Sequence, residues 1–593
     1  MCGIGGLLGA DPTWAPPSSL VGEISRRLRH RGPDETHCVD VEAGSLISCR
    51  LAIMDPAGSR QPLSGCDDLT TVIYSGEIYN FRELRDELRA AGHVLHTEGD
   101  GEVIPHLYEM YGIDFPKRLR GAFAIAVHDG RTDQLILARD RLGEKPLVYA
   151  VTAHAFLFAS EIKAILPFAA GNLSYPAVHQ YLHFGYVLEP GTMFENIKKV
   201  PAGTVLVVDR KISLTPRATQ YWSLEADGGE RTDSMAEAFS TAVHQQLQAD
   251  VPTAVALSDG IDSTLIALSA ARHTSKSRAY SVAFGWMTAE TQTEAPASTA
   301  RRAGLLHEVV TLSPDRYLTL LTAGAEGLSE PIADWTMPAY LGMVQRCRED
   351  GVRVLLTGHG PDELFLAYDW TRSALAALTG KSNASCPSLR DAYLFNPEYR
   401  AAGEFFAGMR GDVLPGLDSD AVMAPMVRSG ENARSDLRRQ LASGYLRSNG
   451  LMQLDSLGLM MEVEVRLPYV DHRFVEAATR ADTQNSRGED NPKTLLYEMA
   501  ARMGLATSFT PKRPFFPETE ILRWPILELS KSSILDGLLV KYGIVTRRAA
   551  EQLIHSAEHP GAEMTVVYRL LLLELWLRSL ATPAETDLGG IRR

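Results

Sequence analysis

The hydrophobic pattern of this chain changes once, between Val208 and Ser234, and the two patterns restrict the fold on either side. Before the change, short apolar runs alternate with turn signals and helical patterns are few; the runs are SLISCRLAIM, LTTVIYSG, AFAIAVHD, QLILARD and FLFAS. After it, helical stretches alternate with buried-strand candidates, namely TAVALS, AYSVAFG, EVVTLS and VRVLLTG. The first pattern predicts a β-rich region, and the second predicts an α/β domain whose parallel sheet is covered by helices.

A chain of 593 residues is too long for one hydrophobic core, so the change of pattern also predicts a domain division. We expect one domain over residues 1–209, a polar surface linker over 210–233 and a second domain over 234–593. Helices are predicted over 80–91 and Val103–Tyr111, and a long Leu-rich helical pattern over 549–580 closes the second domain. The range 371–447 has a mixed composition that indicates no function.

Composition excludes several classes of protein. The formal net charge of −14 leaves no general basic field for a nucleic-acid backbone. No apolar segment is long enough to span a bilayer, and no secretory signal pattern is visible. The cysteines show neither zinc-ligand spacing nor the density of a disulfide framework; they are Cys2, Cys38, Cys49, Cys66, Cys347 and Cys386. We therefore expect a cytoplasmic protein without nucleic-acid or membrane partners.

The first residues, MCGIGG, place a cysteine directly after the initiator. Removal of Met1 would make Cys2 the terminus, where its own α-amine, with a pKa of ~8, can act as a general base for the thiol. Such a thiol can attack an amide. The alternative is a small buried cysteine in a glycine-rich strand, and the residue alone does not decide between them.

Five further segments follow in the same half: RHRGPDE at 29–35, RLAIMDPAGSRQPL at 50–63, YSGEIYNFRELR at 74–85, EGDGEVI at 98–104 and ARDRLGEKPLVY at 138–149. With MCGIGG they closely resemble the class II glutamine amidotransferase domain of asparagine synthetases. The resemblance implies an α+β Ntn-type amidohydrolase sandwich, in which β-sheets are layered with helices.

This resemblance also implies roles for individual residues. Cys2 would attack the side-chain amide of glutamine and release ammonia through a glutamyl thioester. Arg50 would pair with the α-carboxylate of glutamine, while Glu77 and Asp100 would hold its α-amino group. The family has Asn before the glycine of the oxyanion hole, whereas this chain has Ser75 before Gly76. Loss of one such donor costs ~10²–10³ in rate, so we expect a weak glutaminase or a water that completes the hole.

In the second half, SDGIDST at 258–264 follows a predicted strand and precedes a predicted helix. Backbone N–H groups, the helix dipole and the hydroxyls of Ser258, Ser263 and Thr264 would form an anion cradle, although glycine and serine also make plain turns. The motif resembles the SGGxDS pyrophosphate loop of ATP pyrophosphatases. Asp259 replaces the second residue of that motif, normally glycine, and Gly260 follows.

The stretches SEPIADWTMP, TGHGPDELF, EVRLPYVD, KTLLYEMA and TPKRPFF follow in order and resemble the synthetase half of asparagine synthetases. The resemblance implies that ATP binds the loop, that Asp262 and Asp362 coordinate Mg²⁺, and that Lys493 contacts the α-phosphate and leaving pyrophosphate. It also implies nucleotide contacts beyond the loop from Leu257, Val282 and Gly358.

The second of these motifs departs from the family, because GEGADE is replaced by GHGPDE and His359 stands for the glutamate. Near Asp455 the family pattern DRxSM is also lost, so we expect an acceptor pocket that is altered on at least two sides. His359 is predicted to lie where the adenylate meets the incoming nitrogen and to take part in catalysis there. The alternative is a histidine that only fills space.

The preferred hypothesis is a glutamine-dependent amidotransferase that adenylates a carboxylate, aspartate by default or another acid, and forms its carboxamide. Glutamine, ATP and the carboxylate would be its small-molecule partners, and the assembly could be a homodimer. Two alternatives stay open. One is a glutamine-independent amide synthetase of the β-lactam synthetase type, and the other is a binding protein that retains the fold without turnover.

Overall fold

The structure is a computed structural model. It describes residues 2–169, 171–224, 233–273, 277–381, 386, 388–408, 432–484, 492–505 and 517–580. The predicted motif TPKRPFF at 510–516 lies outside the described residues, and so does most of 371–447 beyond residue 408. None of the helices in the described ranges is long and apolar enough to cross a membrane.

Seventeen strands are described. They are β1 (Cys2–Gly9), β2 (Glu35–Val41), β3 (Gly44–Arg50), β4 (Leu63–Ser64), β5 (Thr70–Ile78), β6 (Gly121–Asp129), β7 (Gln134–Arg139), β8 (Val148–Val151), β9 (Ala155–Ala159), β10 (Ile197–Lys199), β11 (Thr204–Asp209), β12 (Ser213–Gln220), β13 (Thr253–Ala256), β14 (Arg278–Phe284), β15 (Leu306–Leu312), β16 (Val354–Leu356) and β17 (Glu464–Arg466).

The α-helices of the first half are α1 (Ser18–Leu28), α2 (Phe81–Ala90), α3 (Val103–Tyr111), α4 (Ile162–Ala169) and α5 (Tyr175–Phe184). Those of the second half are α6 (Met235–Gln246), α7 (Ile261–Ala270), α8 (Ala289–Ala303), α9 (Pro314–Gly327), α10 (Met337–Glu349), α11 (Pro361–Leu364), α12 (Asp369–Leu378), α13 (Leu389–Tyr393), α14 (Pro397–Gly408), α15 (Ala433–Leu441), α16 (Met452–Met460), α17 (His472–Gln484), α18 (Thr494–Arg502), α19 (Thr519–Ile534), α20 (Leu538–Lys541), α21 (Arg547–Ser556) and α22 (Thr565–Leu580).

Two six-stranded antiparallel sheets form the first half, with strand orders β10-β8-β9-β1-β3-β2 and β12-β11-β7-β6-β5-β4. Their facing sides pack together through one apolar cluster that includes Ile4, Leu46, Ile73 and Ala124. Helices α1 and α4 pack on the outer side of the first sheet, and α3 packs on the second. Because central strands such as β6 are covered on both faces, their sequences are nearly continuous apolar runs.

A five-stranded parallel sheet forms the core of the second half, in the order β15-β14-β13-β16-β17. The chain adds β14 and then β15 on one side of β13. It then adds β16 and β17 on the other side of β13. The carboxyl ends of β13 and β16 therefore flank the point where strand order reverses, which is where ligands bind in open α/β sheets. The predicted fold class is confirmed in both halves.

Two local predictions were wrong. The segment expected as a linker contains β12, which pairs antiparallel with β11. Its side chains are mostly exposed because β12 is the edge strand of its sheet, so its polar composition imitated a linker. The long C-terminal helical pattern is two helices, α21 and α22, since Pro560 and Gly561 interrupt it.

Candidate active sites in the two halves

Cys2 lies at the start of β1, directly opposite Arg50 at the end of β3. Its side chain is buried, and its sulfur accepts a hydrogen bond from the side-chain amide of Gln61 at 3.2 Å. Burial raises the pKa of the Cys2 thiol, and the positive charge of Arg50 opposes that shift. The predicted nucleophile is thus enclosed among polar groups, and its thiolate form depends on nearby donors and positive charge.

Gln61 is a residue that the sequence reasoning missed. Its amide oxygen accepts from the Tyr74 N–H at 2.7 Å, while its nitrogen donates to the Tyr74 carbonyl at 2.9 Å. These two bonds fix the buried side chain against β5 and direct its second N–H to the sulfur of Cys2. Gln61 belongs to the matched stretch RLAIMDPAGSRQPL, but only the tertiary structure brings it to the thiol.

The two residues expected at the oxyanion hole lie side by side on β5. The Ser75 hydroxyl donates to the carbonyl oxygen of Cys2 at 2.5 Å, so its single proton is already committed. Gly76 has φ +135°, and a Cβ there would lie 2.0 Å from the Ala122 carbonyl oxygen. Only glycine fits that position.

Arg50, Glu77 and Asp100 are brought to the same end of the two sheets. The Arg50 guanidinium donates to the backbone oxygens of Met54 at 3.2 Å and Asp55 at 2.9 Å, and these bonds fix its direction. Asp100 accepts from the Ile78 N–H at 2.8 Å. Burial and the Asp100 carboxylate raise the pKa of Glu77 well above its usual range. The pair of carboxylates therefore favours a cationic ligand.

The predicted nucleotide loop connects β13 to α7 as expected. The Ser258 N–H donates to the Ser263 hydroxyl at 3.0 Å, and the Thr264 N–H donates to the Gly260 carbonyl oxygen at 3.1 Å. Asp259 is half-buried in this loop. Gly358, after β16, approaches α7 so closely that a Cβ would lie 3.0 Å from the Ser263 nitrogen.

The predicted adenosine contacts flank the carboxyl end of β13. Leu257 follows that strand and donates its N–H to the Tyr280 carbonyl oxygen on β14 at 2.8 Å. Val282 lies two residues further along β14, and both apolar side chains are buried. They can form the apolar side of a ligand pocket at the sheet edge.

Lys493 lies between the two predicted metal ligands. Its ammonium contacts the Asp262 carboxylate and lies 2.7 Å from the Asp362 carboxylate. Burial disfavours the charge, but the two aspartates outweigh it and raise the pKa of the Lys493 ammonium. Three predicted site residues from distant parts of the chain are therefore assembled at one place.

His359 follows β16 at the same edge of the sheet. Its Nδ1 lies 3.0 Å from the Thr357 hydroxyl, and its Nε2 lies 2.7 Å from the hydroxyl of Tyr340 on α10. Both ring nitrogens are thus held in place by hydroxyl partners. Tyr340 was not predicted from the sequence, because no local pattern on α10 reveals that its hydroxyl reaches the sheet edge.

A buried interface connects the two halves. The guanidinium of Arg466 on β17 lies 3.4 Å from the Glu77 carboxylate. The Arg466 carbonyl oxygen accepts a hydrogen bond from the Thr357 N–H at 3.0 Å. Nearby, Asp455 on α16 binds Arg31 at 2.7 Å and Lys145 at 3.3 Å. Asp455 is thus buried in an ion-pair network with two residues of the first half.

Comparison with known proteins gives the class of each half. Residues 1–222 match the family described as "Glutamine amidotransferase domain", and residues 234–578 match the family described as "Asparagine synthase". Glutamine-hydrolyzing asparagine synthetases 1 and 3 of Bacillus subtilis (strain 168) are 26% and 29% identical to this chain. The first alignment covers 84% of each chain and the second covers 80% of each.

Over a shorter region the identity is higher. Glutamine-hydrolyzing asparagine synthetase 2 of Arabidopsis thaliana is 36% identical across 47% of this chain and 44% of its own length. The order of the two matched regions defines a carbon–nitrogen ligase that takes its nitrogen from glutamine. The chain belongs to the asparagine synthase family.

Proposed function

We propose that this protein uses ATP and the amide nitrogen of glutamine to convert a carboxylate into a carboxamide, with aspartate as the default acceptor and asparagine as the product. The observation that carries the proposal is the contact between Arg466 and Glu77, which joins the thiol-containing site to the sheet edge at Thr357 through one buried interface. Two half-reactions that share a reactive intermediate need such a shielded connection. None of the six cysteines forms a disulfide, which suits a reducing cytoplasm.

In the first half-reaction the Cys2 sulfur attacks the side-chain amide carbon of glutamine. Ammonia leaves, and water then hydrolyses the thioester to glutamate. Arg50 binds the α-carboxylate, because its guanidinium is held by backbone carbonyls and keeps a fixed direction. Glu77 and Asp100 bind the α-ammonium group, whose positive charge offsets the repulsion between these two buried carboxylates.

Gln61 takes the place of the family's oxyanion asparagine. The tetrahedral intermediate on Cys2 carries an oxyanion next to the sulfur, and the Gln61 N–H already lies 3.2 Å from that sulfur. Ser75 cannot supply this donor while its proton is held by the Cys2 carbonyl oxygen. Gln61 and the Gly76 backbone N–H therefore form the oxyanion hole in this proposal.

In the second half-reaction a carboxylate oxygen of the acceptor attacks the α-phosphorus of ATP, and pyrophosphate leaves. The loop from Ser258 to Thr264 binds the phosphates with its N–H groups and hydroxyls. Lys493 offsets negative charge on the α-phosphate and the leaving group. Ammonia then attacks the acyl carbon of the adenylate, and AMP leaves.

The two aspartates fit the Mg²⁺ that accompanies ATP in such reactions. Asp262 and Asp362 provide hard oxygen donors at the phosphate loop, and each lies beside the Lys493 ammonium. Asp262 is buried, and Asp362 is half-buried. Bound Mg²⁺ supplies charge neutralisation to the triphosphate. Lys493 can leave the aspartates for the phosphates, since a divalent cation then replaces its charge.

In this proposal, His359 lies at the end of the site where the acceptor carboxylate binds. The hydroxyls of Thr357 and Tyr340 orient its ring at the carboxyl edge of β16, near the chain of contacts that leads to Glu77. An imidazole here can take a proton from the attacking nitrogen or contact the acceptor carboxylate. The exchange of a family glutamate for His359 extends the proposal to acids other than aspartate.

A screen of carboxylates tests this function. The protein is incubated with MgATP, glutamine and one acid at a time, and pyrophosphate, glutamate and carboxamide are measured. We expect equal amounts of pyrophosphate and carboxamide with at least one acid, together with glutamate. Pyrophosphate without any need for glutamine or ammonium would instead indicate an intramolecular amide synthetase. The absence of pyrophosphate and glutamate with every acid would indicate a binding protein.

A further inference from the structure

A second cluster of reactive side chains lies in the first half, apart from the Cys2 site. It consists of Cys66, His93, His106 and Glu109, which we call the Cys66 cluster. One sulfur, two ring nitrogens and one carboxylate oxygen all lie within 4.8 Å of one another. The spacing of cysteines along the chain did not predict this group, because it takes one cysteine and draws its other ligands from two further segments.

The distances within the Cys66 cluster match a tetrahedral metal site. The Cys66 sulfur lies 3.2 Å from the Nδ1 of His93 and 3.4 Å from the Nδ1 of His106, and these two nitrogens are 3.2 Å apart. The Glu109 oxygen lies 3.8 Å and 3.6 Å from them. Zinc bond lengths at tetrahedral angles place such ligand atoms about 3.3–3.6 Å apart.

Hydrogen bonding alone does not account for this arrangement. The thiol and the two ring nitrogens can bring at most three protons to the centre, while the four atoms form six close pairs that include a carboxylate. Several of these pairs would then bring lone pairs together. One divalent cation satisfies all four atoms, and its charge balances one thiolate and one carboxylate.

The fold holds each ligand at this place for a local reason. Gly92 ends α2 with φ +93°, and the His93 N–H donates to the Leu88 carbonyl oxygen at 3.0 Å. His106 and Glu109 are three residues apart on α3 and so share one face of that helix. Cys66 follows β4 in the short connection to β5.

Glu109 shows the features of an oriented ligand. The Glu109 Oε1 accepts a hydrogen bond from the Cys66 N–H at 2.8 Å and lies 3.6 Å from the Arg131 guanidinium. The Oε2 of the same carboxylate is therefore left for the centre of the cluster. A Cβ at Gly65 would lie 2.0 Å from Oε1. Glycine at this position therefore admits the carboxylate.

We propose that Cys66, His93, His106 and Glu109 bind one structural Zn²⁺ that ties the β4–β5 connection to α2 and α3. Sulfur and imidazole ligands in a tetrahedral arrangement favour zinc among common cations. All four positions are protein atoms, so no position remains for substrate and the role is structural. The metal would support the helix layer behind β5, which carries Ser75, Gly76 and Glu77.

The test measures metal in the purified full-length protein after dialysis. We expect about one zinc per chain in the wild type and a large loss in Cys66→Ser. Cys38→Ser removes another exposed cysteine outside the Cys66 cluster and should keep the metal. Equal zinc in Cys66→Ser and the wild type, or no zinc in either, would overturn the proposal.

A second measurement is independent of how well the variants fold. Wild-type protein is stripped with a chelator and titrated with Co²⁺, which should give the visible absorption of tetrahedral cobalt together with a sulfur-to-cobalt charge-transfer band. Addition of Zn²⁺ should remove both signals, and Zn²⁺ should raise the melting temperature of the stripped protein. A spectrum of octahedral cobalt without the sulfur band would show that these residues do not form the site.

Discussion

The two candidate active sites differ in how their charged groups are satisfied. In the glutaminase site, the functional side chains are held by backbone atoms: Gln61 by Tyr74, Arg50 by Met54 and Asp55, and Asp100 by Ile78. In the nucleotide site, the functional side chains bind one another, because Lys493 contacts both Asp262 and Asp362. The first site is oriented by the sheet framework, whereas in the proposed reaction the second would exchange partners when phosphate and metal bind.

A change in the glutaminase site removes one donor or one nucleophile and leaves the framework in place. A change in the nucleotide site alters a balance of charge, since Lys493 stabilises two carboxylates that would otherwise repel one another. The contact between Glu77 and Arg466 is where the two kinds of site meet.

The largest effect is expected for Cys2→Ala. Without the sulfur, glutamine-supported carboxamide formation should fall to background, because no other described group occupies the nucleophile position. Ammonium should still support the product, since the nucleotide site needs only ammonia. Product formation with each nitrogen source is the measurement. Retained activity with glutamine would show that Cys2 is not the nucleophile.

Lys493→Met tests two effects of the lysine charge, one on the leaving pyrophosphate and one on metal binding by the two aspartates. ATP–pyrophosphate exchange should fall by ~10²–10³, because the positive charge near the leaving group is lost. Divalent-cation affinity of the protein without nucleotide should rise, since Asp262 and Asp362 lose their competing ammonium. Mn²⁺ titration measures the affinity.

Asp262→Asn and Asp362→Asn are the matched variants for that measurement. Each should weaken both Mn²⁺ binding and exchange, because each removes a charged oxygen donor. Glutaminase activity is the control and should stay unchanged in all three. If Lys493→Met leaves Mn²⁺ affinity unaltered, the lysine does not compete with metal at this site.

Gln61→Glu is the corresponding test in the glutaminase site. The carboxylate has nearly the same shape and still accepts from the Tyr74 N–H, but when ionised it cannot donate to the sulfur. Glutaminase kcat should fall by ~10²–10³ with a smaller change in KM, since the lost donor acts mainly on the transition state. Ammonium-dependent synthesis is the control. A change confined to KM would argue that Gln61 only shapes the glutamine pocket.

His359→Ala should reduce carboxamide formation by about tenfold or more, since general acid–base groups contribute at least that much. ATP binding should change little, because the imidazole is held by Thr357 and Tyr340 rather than by the phosphate loop. His359→Glu should shift acceptor preference toward aspartate. Unchanged turnover and acceptor range in both variants would make His359 a bystander.

The sequence predicted most of the fold, for physical reasons. Strands such as β5, β6 and β14 were predictable because their apolar runs are continuous, and α3 was predicted with its observed bounds. The predictions failed where one local sequence pattern is compatible with two different structures. The polar β12 is an edge strand rather than a linker, and a Leu-rich pattern continued across the break before α22.

For the candidate sites, motifs predicted which residues lie together but not what they bind in the folded chain. Asp262, Asp362 and Lys493 were expected at one place and are found there. Gln61 and Tyr340 were not expected, because each acts through a partner far away in sequence. The Cys66 cluster was missed for the same reason, since proximity in space cannot be derived from cysteine spacing alone.

The smallest effect is expected for Ser75→Asn. An asparagine amide restores the family's oxyanion donor, so glutaminase kcat should rise. The rise should be only a few-fold if Gln61 already donates to the oxyanion, because a second donor at one oxygen adds less than the first. Loss of the Ser75 bond to the Cys2 carbonyl oxygen opposes the gain.

The double variant Gln61→Glu with Ser75→Asn decides whether these two positions serve one function. If Gln61 replaces the missing asparagine, the amide introduced by Ser75→Asn should restore much more activity in the Gln61→Glu background than it adds to the wild type. Residues that act on one atom are coupled in this way, whereas independent residues give additive free energies. Glutaminase kcat of the four proteins forms the cycle, and Ser75→Ala provides a control without a donor. Equal gains from Ser75→Asn in both backgrounds would place Gln61 outside the oxyanion hole, leaving it as a contact that orients the Cys2 thiol.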